Sequence, residues 1–284
     1  MKKIYKQNLR YLFYMTILFS IFFYRYSGSW YWTFKHKVKY HNFIAYSNDT
    51  SENTQKLLVE ANLVLNEYVN FYKDTNIELK LNDQLLFHMK IYETQEEFKR
   101  YSPVYWAEGY YQEPYSNFYL EFDTPNPYHG MRHEVIHQFN TELMKRTMPV
   151  WLNEGMACYF STCMILNGKF EFDKIDYNSY PAWWLKLSFL RSGNLEADKK
   201  TYKVIPLIAL LQDQEPINIT RNVNLYYLHW WTFFHFLVDG KNGKYKQGLL
   251  KFIQSEHELK DFKKLIGEPI QLEKEWYEYL KTFK

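Results

Sequence analysis

Residues 133–137 read His-Glu-Val-Ile-His. Two histidines four apart on a helix lie one turn apart on one face, so His133 and His137 can share a metal ion. Glu134 then sits beside that face, within reach of water on the metal rather than of the metal itself. Zinc lowers the pKa of bound water to around 7, and a carboxylate held there can take the proton and later return it to a leaving amine. The chemistry implied is hydrolysis. Val135, Ile136, Phe139 and Leu143 gather on the opposite side of the same helix, which would bury that face and hold the helix still.

Sixteen residues separate His137 from Glu154, enough for the end of one helix, a turn and the start of the next. Pro149 suits a helix start, and Asn153 is an alternative cap. From Glu154 the same face continues through Ala157, Cys158 and Ser161, all small, so the second helix can come close enough for its carboxylate to reach the metal. Two His and one Glu leave the fourth tetrahedral position open, the pattern of a catalytic rather than a structural zinc.

Several elements must position these groups. Residues 43–46 and 85–92 read as strands, a helix capped by Ser51 or Asn53 runs to about residue 72, and Thr94 starts a short helix. Residues 117–122 alternate, with Phe118, Leu120 and Phe122 on one side and Asn117, Tyr119 and Glu121 on the other, as a half-buried strand does. After residue 130 everything reads helical, in segments near 131–146, 149–166, 181–191, 203–213, 222–238, 244–255, 257–265 and 268–282. The fold class expected is α+β, a small mixed-sheet half followed by a mainly helical half.

The chain has 284 residues, 46% of them apolar and 24% charged, which excludes disorder; 20% are aromatic. A net charge of +3 without a basic stripe gives no reason to expect a nucleic-acid partner. Two cysteines, Cys158 and Cys163, make no disulfide framework, and on one helix they face different ways. Trp183-Trp184 and Trp230-Trp231 suit helix packing better than a glycan surface, since adjacent helical positions cannot both face one ligand.

At the N-terminus, Lys2, Lys3, Lys6 and Arg10 precede an uncharged run over residues 11–24. Its 14 residues reach roughly 21 Å as a helix, short of a ~30 Å hydrocarbon core, and snorkelling Arg10 and Arg25 with Trp30, Tyr31 and Trp32 can make up the difference. The expected organisation is a signal-anchor or signal peptide over 1–30, a charged linker over 31–41 and one domain over 42–284. That places the domain outside the cytoplasm, held by a single membrane segment, or secreted if the segment is cleaved.

His133-Glu134-Val135-Ile136-His137 together with Trp151-Leu152-Asn153-Glu154-Gly155-Met156-Ala157 resembles the gluzincin zinc metallopeptidases, and is most similar to the peptidase MA-like families. The resemblance covers roughly residues 42–284, taking in Gly109-Tyr110-Tyr111, Tyr227-Leu228-His229-Trp230-Trp231 and His235-Phe236-Leu237. It implies a zincin-like fold, a peptide or protein substrate, His133, His137 and Glu154 as zinc ligands and Glu134 as general base. It also implies a downstream phenol or imidazole that stabilises the oxyanion, for which Tyr227 is the candidate and Tyr226, His229 and His235 are rivals. The strand before the metal helix would be the sheet edge on which an extended peptide lies, which makes Asn117, Tyr119 and Glu121 substrate-binding candidates. One departure stands out. Relatives often carry a carboxylate four or seven residues after the ligand Glu, to hold a ligand His; here those positions are Cys158 and Ser161, leaving Asn140 or a backbone carbonyl to hold it. That departure keeps open a different class: a metal-containing but inactive binding protein at the cell surface.

Overall fold

The computed structural model describes residues 2–26, 30, 33–104, 106–120, 124–185 and 192–283. Alternating and β-branched segments build a five-stranded sheet from β1 (His36–Tyr40), β2 (Phe43–Ser47), β3 (Phe87–Tyr92), β4 (Gly109–Gln112) and β5 (Tyr115–Tyr119). Its order is β1-β2-β3-β5-β4, with the inner pairs β2–β3 and β3–β5 parallel and both outer pairs antiparallel. The sheet is mixed, as expected for an α+β chain.

Helix α1 (Lys2–Tyr26) precedes the sheet, α2 (Ser51–Phe71) links β2 to β3, and α3 (Gln95–Tyr101) follows β3. Thr50, one residue before Ser51 and three before Asn53, the two expected caps, closes the start of α2 by accepting from the Asn53 N–H at 3.1 Å, and Thr94 plays the same part for α3. Helices α4 (His129–Glu142) and α5 (Val150–Ser161) come next. The helical half is completed by α6 (Leu195–Lys200), α7 (Leu207–Leu211), α8 (Val223–Gly243, regular to Asp239), α9 (Lys246–Ile253), α10 (Leu259–Leu265) and α11 (Pro269–Leu280).

Three expectations are corrected. Residues 36–40, read as part of a charged linker, form β1, because only alternate side chains of His-Lys-Val-Lys-Tyr need to be shielded at a sheet edge. The stretch after residue 161 is not helix: β6 (Cys163–Leu166) and β7 (Lys169–Ile175) form a hairpin turned by Asn167 and Gly168, both at positive φ. The expected strand over 117–122 is β5, which ends at Tyr119; residues 121–123 lie outside the described residues, as do 186–191 of an expected helix whose start is a short 3₁₀ turn at Ala182–Trp184.

The core lies between the sheet and the helices. Phe139 on α4 is fully buried, its ring 4.8 Å from Phe87, 5.3 Å from Tyr68 and 6.3 Å from Phe43. Truncating such a side chain costs about 3–5 kcal/mol, so this face alone pins α4 to the sheet. The apolar positions expected to do so, Val135, Ile136, Phe139 and Leu143, all have zero exposure. Helix α5 packs between α4 and α8, and Gly155 makes the second contact close: a Cβ there would lie 2.6 Å from the Trp230 carbonyl oxygen. Both tryptophans of the 230–231 pair are buried, as helix-packing residues are. Cys158 and Cys163 are buried free thiols. No described helix is long and apolar enough to cross a membrane.

Candidate metal centre

Helical spacing and helix packing together bring three ligand atoms to one point. His133 Nε2 and His137 Nε2 are 3.0 Å apart, and Glu154 Oε2 lies 3.2 Å from the first and 3.5 Å from the second. Ligands held about 2.0–2.1 Å from one tetrahedral ion stand about 3.3–3.4 Å from each other, so the triangle has the right size for zinc. Glu154 Oε2 is buried without a hydrogen-bond partner. Two imidazole nitrogens facing each other this closely beside a carboxylate suit a cation between them. His133, His137 and Glu154 are the group of His, Cys, Asp and Glu side chains among the described residues that can hold a metal ion.

The titration behaviour follows from the same arrangement. Burial alone would pull the His137 imidazole down, but the Glu154 charge 3.5 Å away pushes it up to about 9. Burial would raise the Glu154 carboxyl, and the two imidazoles overcome it and hold the group well below the usual carboxylate range. Glu134, 6% exposed, is raised by burial and only partly brought back by His133, His137 and the Tyr111 backbone N–H.

Each histidine keeps one further nitrogen. His133 Nδ1 lies 3.8 Å from Cys158 Sγ, so a thiol stands where a carboxylate is common. His137 Nδ1 is buried without a partner in hydrogen-bonding geometry, although the Asn153 side chain lies near enough to favour its charged form. Asn153 is itself fixed: its Oδ1 accepts from Asn140 Nδ2 at 2.8 Å, and Asn140 Oδ1 accepts from the Tyr68 hydroxyl at 2.7 Å. Asn140 thus supports the histidines through Asn153 and not by direct contact.

Sheet and metal helix are joined at the site. Ser116 on β5 donates to Gln138 Oε1 at 2.9 Å, and Gln138 donates to the Pro114 carbonyl at 3.1 Å, which seats the β4–β5 hairpin on α4. Strand β4, and not β5, forms the edge beside the metal helix. Both edges of β5 are paired, Asn117 is 3% exposed with its amide donating to the Tyr110 and Tyr115 carbonyls, and Tyr119 is buried against Phe98. Asn117 and Tyr119 therefore cannot pair with a peptide backbone, and Glu121 lies outside the described residues. The reason is a tight hairpin at Glu113-Pro114 that adds one more strand outside β5. Gly109 lets that strand come down on Glu134: a Cβ there would lie 2.6 Å from Glu134 Cγ.

Tyr227 opens α8 with its ring 6.0 Å from that of His133, and it lines the same cavity as His133 and Glu134. Its rivals are engaged elsewhere. The Tyr226 hydroxyl donates to the Ile217 carbonyl; His229 accepts from the Ile205 N–H and donates to the Leu225 carbonyl; His235 is bonded to the Tyr279 hydroxyl.

One pair has no counterpart among the residues singled out by sequence. His129, one turn before His133, has Nδ1 2.8 Å from the Asn126 carbonyl and Nε2 2.7 Å from Glu108 Oε2. Both partners only accept, so both nitrogens carry protons and the ring is an imidazolium. Burial lowers its pKa, but the Glu108 hydrogen bond and charge outweigh that and raise it. The sequence signal is His129 itself, four residues before a ligand on one helix face.

No protein-family model matches the chain, and no curated protein matches it.

Proposed function

We propose that this chain is a zinc-dependent peptidase of the gluzincin type. The observation that carries the reading is the 3.0, 3.2 and 3.5 Å triangle of His133, His137 and Glu154 with the buried Glu134 carboxylate beside it, beneath an edge strand. When bound, zinc lowers the pKa of a coordinated water to around 7 and polarises a carbonyl. Glu134 serves as general base: its raised pKa suits a group that takes a proton and then delivers it to the leaving amine. Tyr227 donates a hydrogen bond to the oxyanion, a charge that exists only in the transition state, and its own ionisation is suppressed by burial. The outer edge of β4, apart from the Tyr111 N–H held by Glu134, pairs with an extended substrate backbone, which binds peptide with little regard to side chains.

Membrane attachment belongs to the same reading. Ten side chains between Tyr11 and Phe22 are exposed and apolar or aromatic, which supports an N-terminal segment that holds the domain at a membrane outside the cytoplasm. The test is zinc content and peptide-library cleavage of wild type and Glu134→Gln, with the full chain expected in the membrane fraction. Wild type should cut, and the variant should keep its zinc and lose about a thousandfold in rate.

A second reading rests on Cys158. A thiol is a weaker partner for His133 than a carboxylate, which favours a metal-containing binding protein without activity. Stoichiometric zinc with no peptide cut by wild type would select it.

A further inference from the structure

Resting on the peptidase reading above, we infer that the site is endo-acting: it cuts within an extended chain that runs past the triad on both sides, rather than removing residues from an end. Three cavities follow one another along α4, the first two touching β4 and the third the Glu113-Pro114 turn. The first, about 260 Å³, lies over the start of α4 between Trp106, His129 and Tyr180. The second, about 310 Å³, holds the triad and shares Trp106, Gly109, Glu134 and Tyr227 with the first. The third, about 670 Å³, lies over the end of α4 and shares Thr141 and Asn153 with the second. The 14 residues of α4 extend about 21 Å, the span of about six residues of extended peptide. The triad sits near the middle of that length, so substrate positions exist on both sides of it.

The charges along the groove lead to the same conclusion. A site that trims chain ends needs a free charged group next to the metal, to hold a terminal amine or carboxylate. Among the described residues each nearby charge is engaged or distant. Glu108 is bonded to the His129 imidazolium at 2.7 Å. Glu142 accepts from Gln138 at 2.9 Å and from the Tyr111 hydroxyl at 3.3 Å. Arg146 donates to the carbonyls of Gln254 and Ser255. Lys145 stands beyond the end of α4 and lines the third cavity, not the one that holds the triad. Glu113 stands four residues beyond Gly109, about 13 Å along a strand. Both line the third cavity, so a terminus held by either would lie outside the cavity of the reacting carbonyl. The Glu108–His129 pair also acts in positioning, because it ties the segment leading into β4 to the first turn of α4 and so keeps the width of the groove there.

The experiment presents the members of a peptide library in four forms, free, N-acetylated, C-amidated and capped at both ends, to the zinc-loaded full chain, with products read by mass spectrometry. Internal cuts are expected, with doubly capped peptides cut within about threefold of free ones, whereas loss of an anchored terminal charge would cost roughly a hundredfold or more. A ladder of single residues, or protection by one cap, overturns the inference and leaves the peptidase reading standing. Binding to the zinc-loaded Glu134→Gln chain supplies an arm independent of turnover. Equal affinity for capped and free forms supports the inference, and a tenfold or greater preference for a free end overturns it. No cutting by wild type together with no binding of any form overturns both.

Discussion

Two histidine–carboxylate clusters share α5 as a common wall. On one side Glu154 and Cys158 face His133 and His137 of α4; on the other Tyr159 packs against His235, which lies 3.4 Å from Asp239 on α8. In sequence they look alike, since both are ligand-type residues four apart on a helix. Their electrostatics run in opposite directions. Glu154 pushes His137 up to about 9, whereas burial among aromatic rings holds His235 down to about 4. The first cluster can hold a cation and opens on a groove; the second keeps its imidazole neutral, with Nδ1 taken by the Tyr279 hydroxyl at 2.9 Å. Composition and helical spacing do not make a metal centre. A third side chain from another helix makes a group that could hold a metal ion, and Glu154 supplies it.

The largest effect should separate the two clusters outright. Glu154→Gln and His137→Gln are each expected to weaken zinc binding well over a hundredfold, because a ligand is lost and not merely its support. His235→Gln should leave the stoichiometry at one. Zinc at a hundred times its Kd stabilises a folded protein by about 2.7 kcal/mol, so thermal melts with and without zinc read the same contrast. Equal loss of zinc in all three variants would break the comparison.

Gly109→Ala should come next. The added methyl has no room beside Glu134 Cγ, while β4 remains paired to β5 by its backbone. Displacing the base by about 1 Å costs on the order of a hundredfold in rate, with zinc content unchanged. Unaltered activity would remove Gly109 and β4 from the site.

That residue also marks the limit of what the sequence makes legible. His133, Glu134, His137 and Glu154 are read from spacing because a helix fixes what lies four residues away, and α5 follows from Pro149 and the small face after Glu154. The edge strand is not read, because Gly-Tyr-Tyr-Gln is four residues without alternation and its role depends on a hairpin partner. Strand β6 reads as helix because Cys-Met-Ile-Leu continues the apolar run of α5 up to Asn167-Gly168. Burial of both faces of β5 comes from α3 on one side and α4 on the other, and its outer edge is taken by β4, which together move Asn117 and Tyr119 out of the groove.

Cys158 tests how much support the metal helix needs. Cys158→Ala leaves His133 Nδ1 without its thiol, and zinc affinity should fall by roughly tenfold, the lower end for a lost supporting partner because a 3.8 Å thiol contact is weak. Cys158→Asp should bind zinc more tightly than wild type. Its metal-free form should melt earlier, since a second buried carboxylate then faces Glu154 and Glu134. Equal affinities in all three proteins would mean that the thiol does not support His133.

The smallest effect belongs to the second cluster and concerns stability alone. Asp239 is raised from 3.8 to about 6, chiefly by burial, with Tyr159 and Lys246 opposing and Asp173 adding to the rise; Oδ2 has no hydrogen-bond partner. Between pH ~4 and ~6 the folded state therefore holds more protons at this site than the unfolded state, and stability falls as pH rises through that window. Above it the full cost of the buried charge remains. Asp239→Asn removes the charge, so the variant should melt higher than wild type at pH 7, by roughly 1–2 kcal/mol after allowance for partial solvation. The advantage should disappear near pH 4, where wild type is neutral there too. His235, depressed by burial, has the opposite slope over the same window, and comparing the two proteins at each pH removes its contribution. If instead Asp239→Asn lowers stability at pH 7, the carboxylate is held by a cation, and the second cluster resembles the first more closely than its geometry implies.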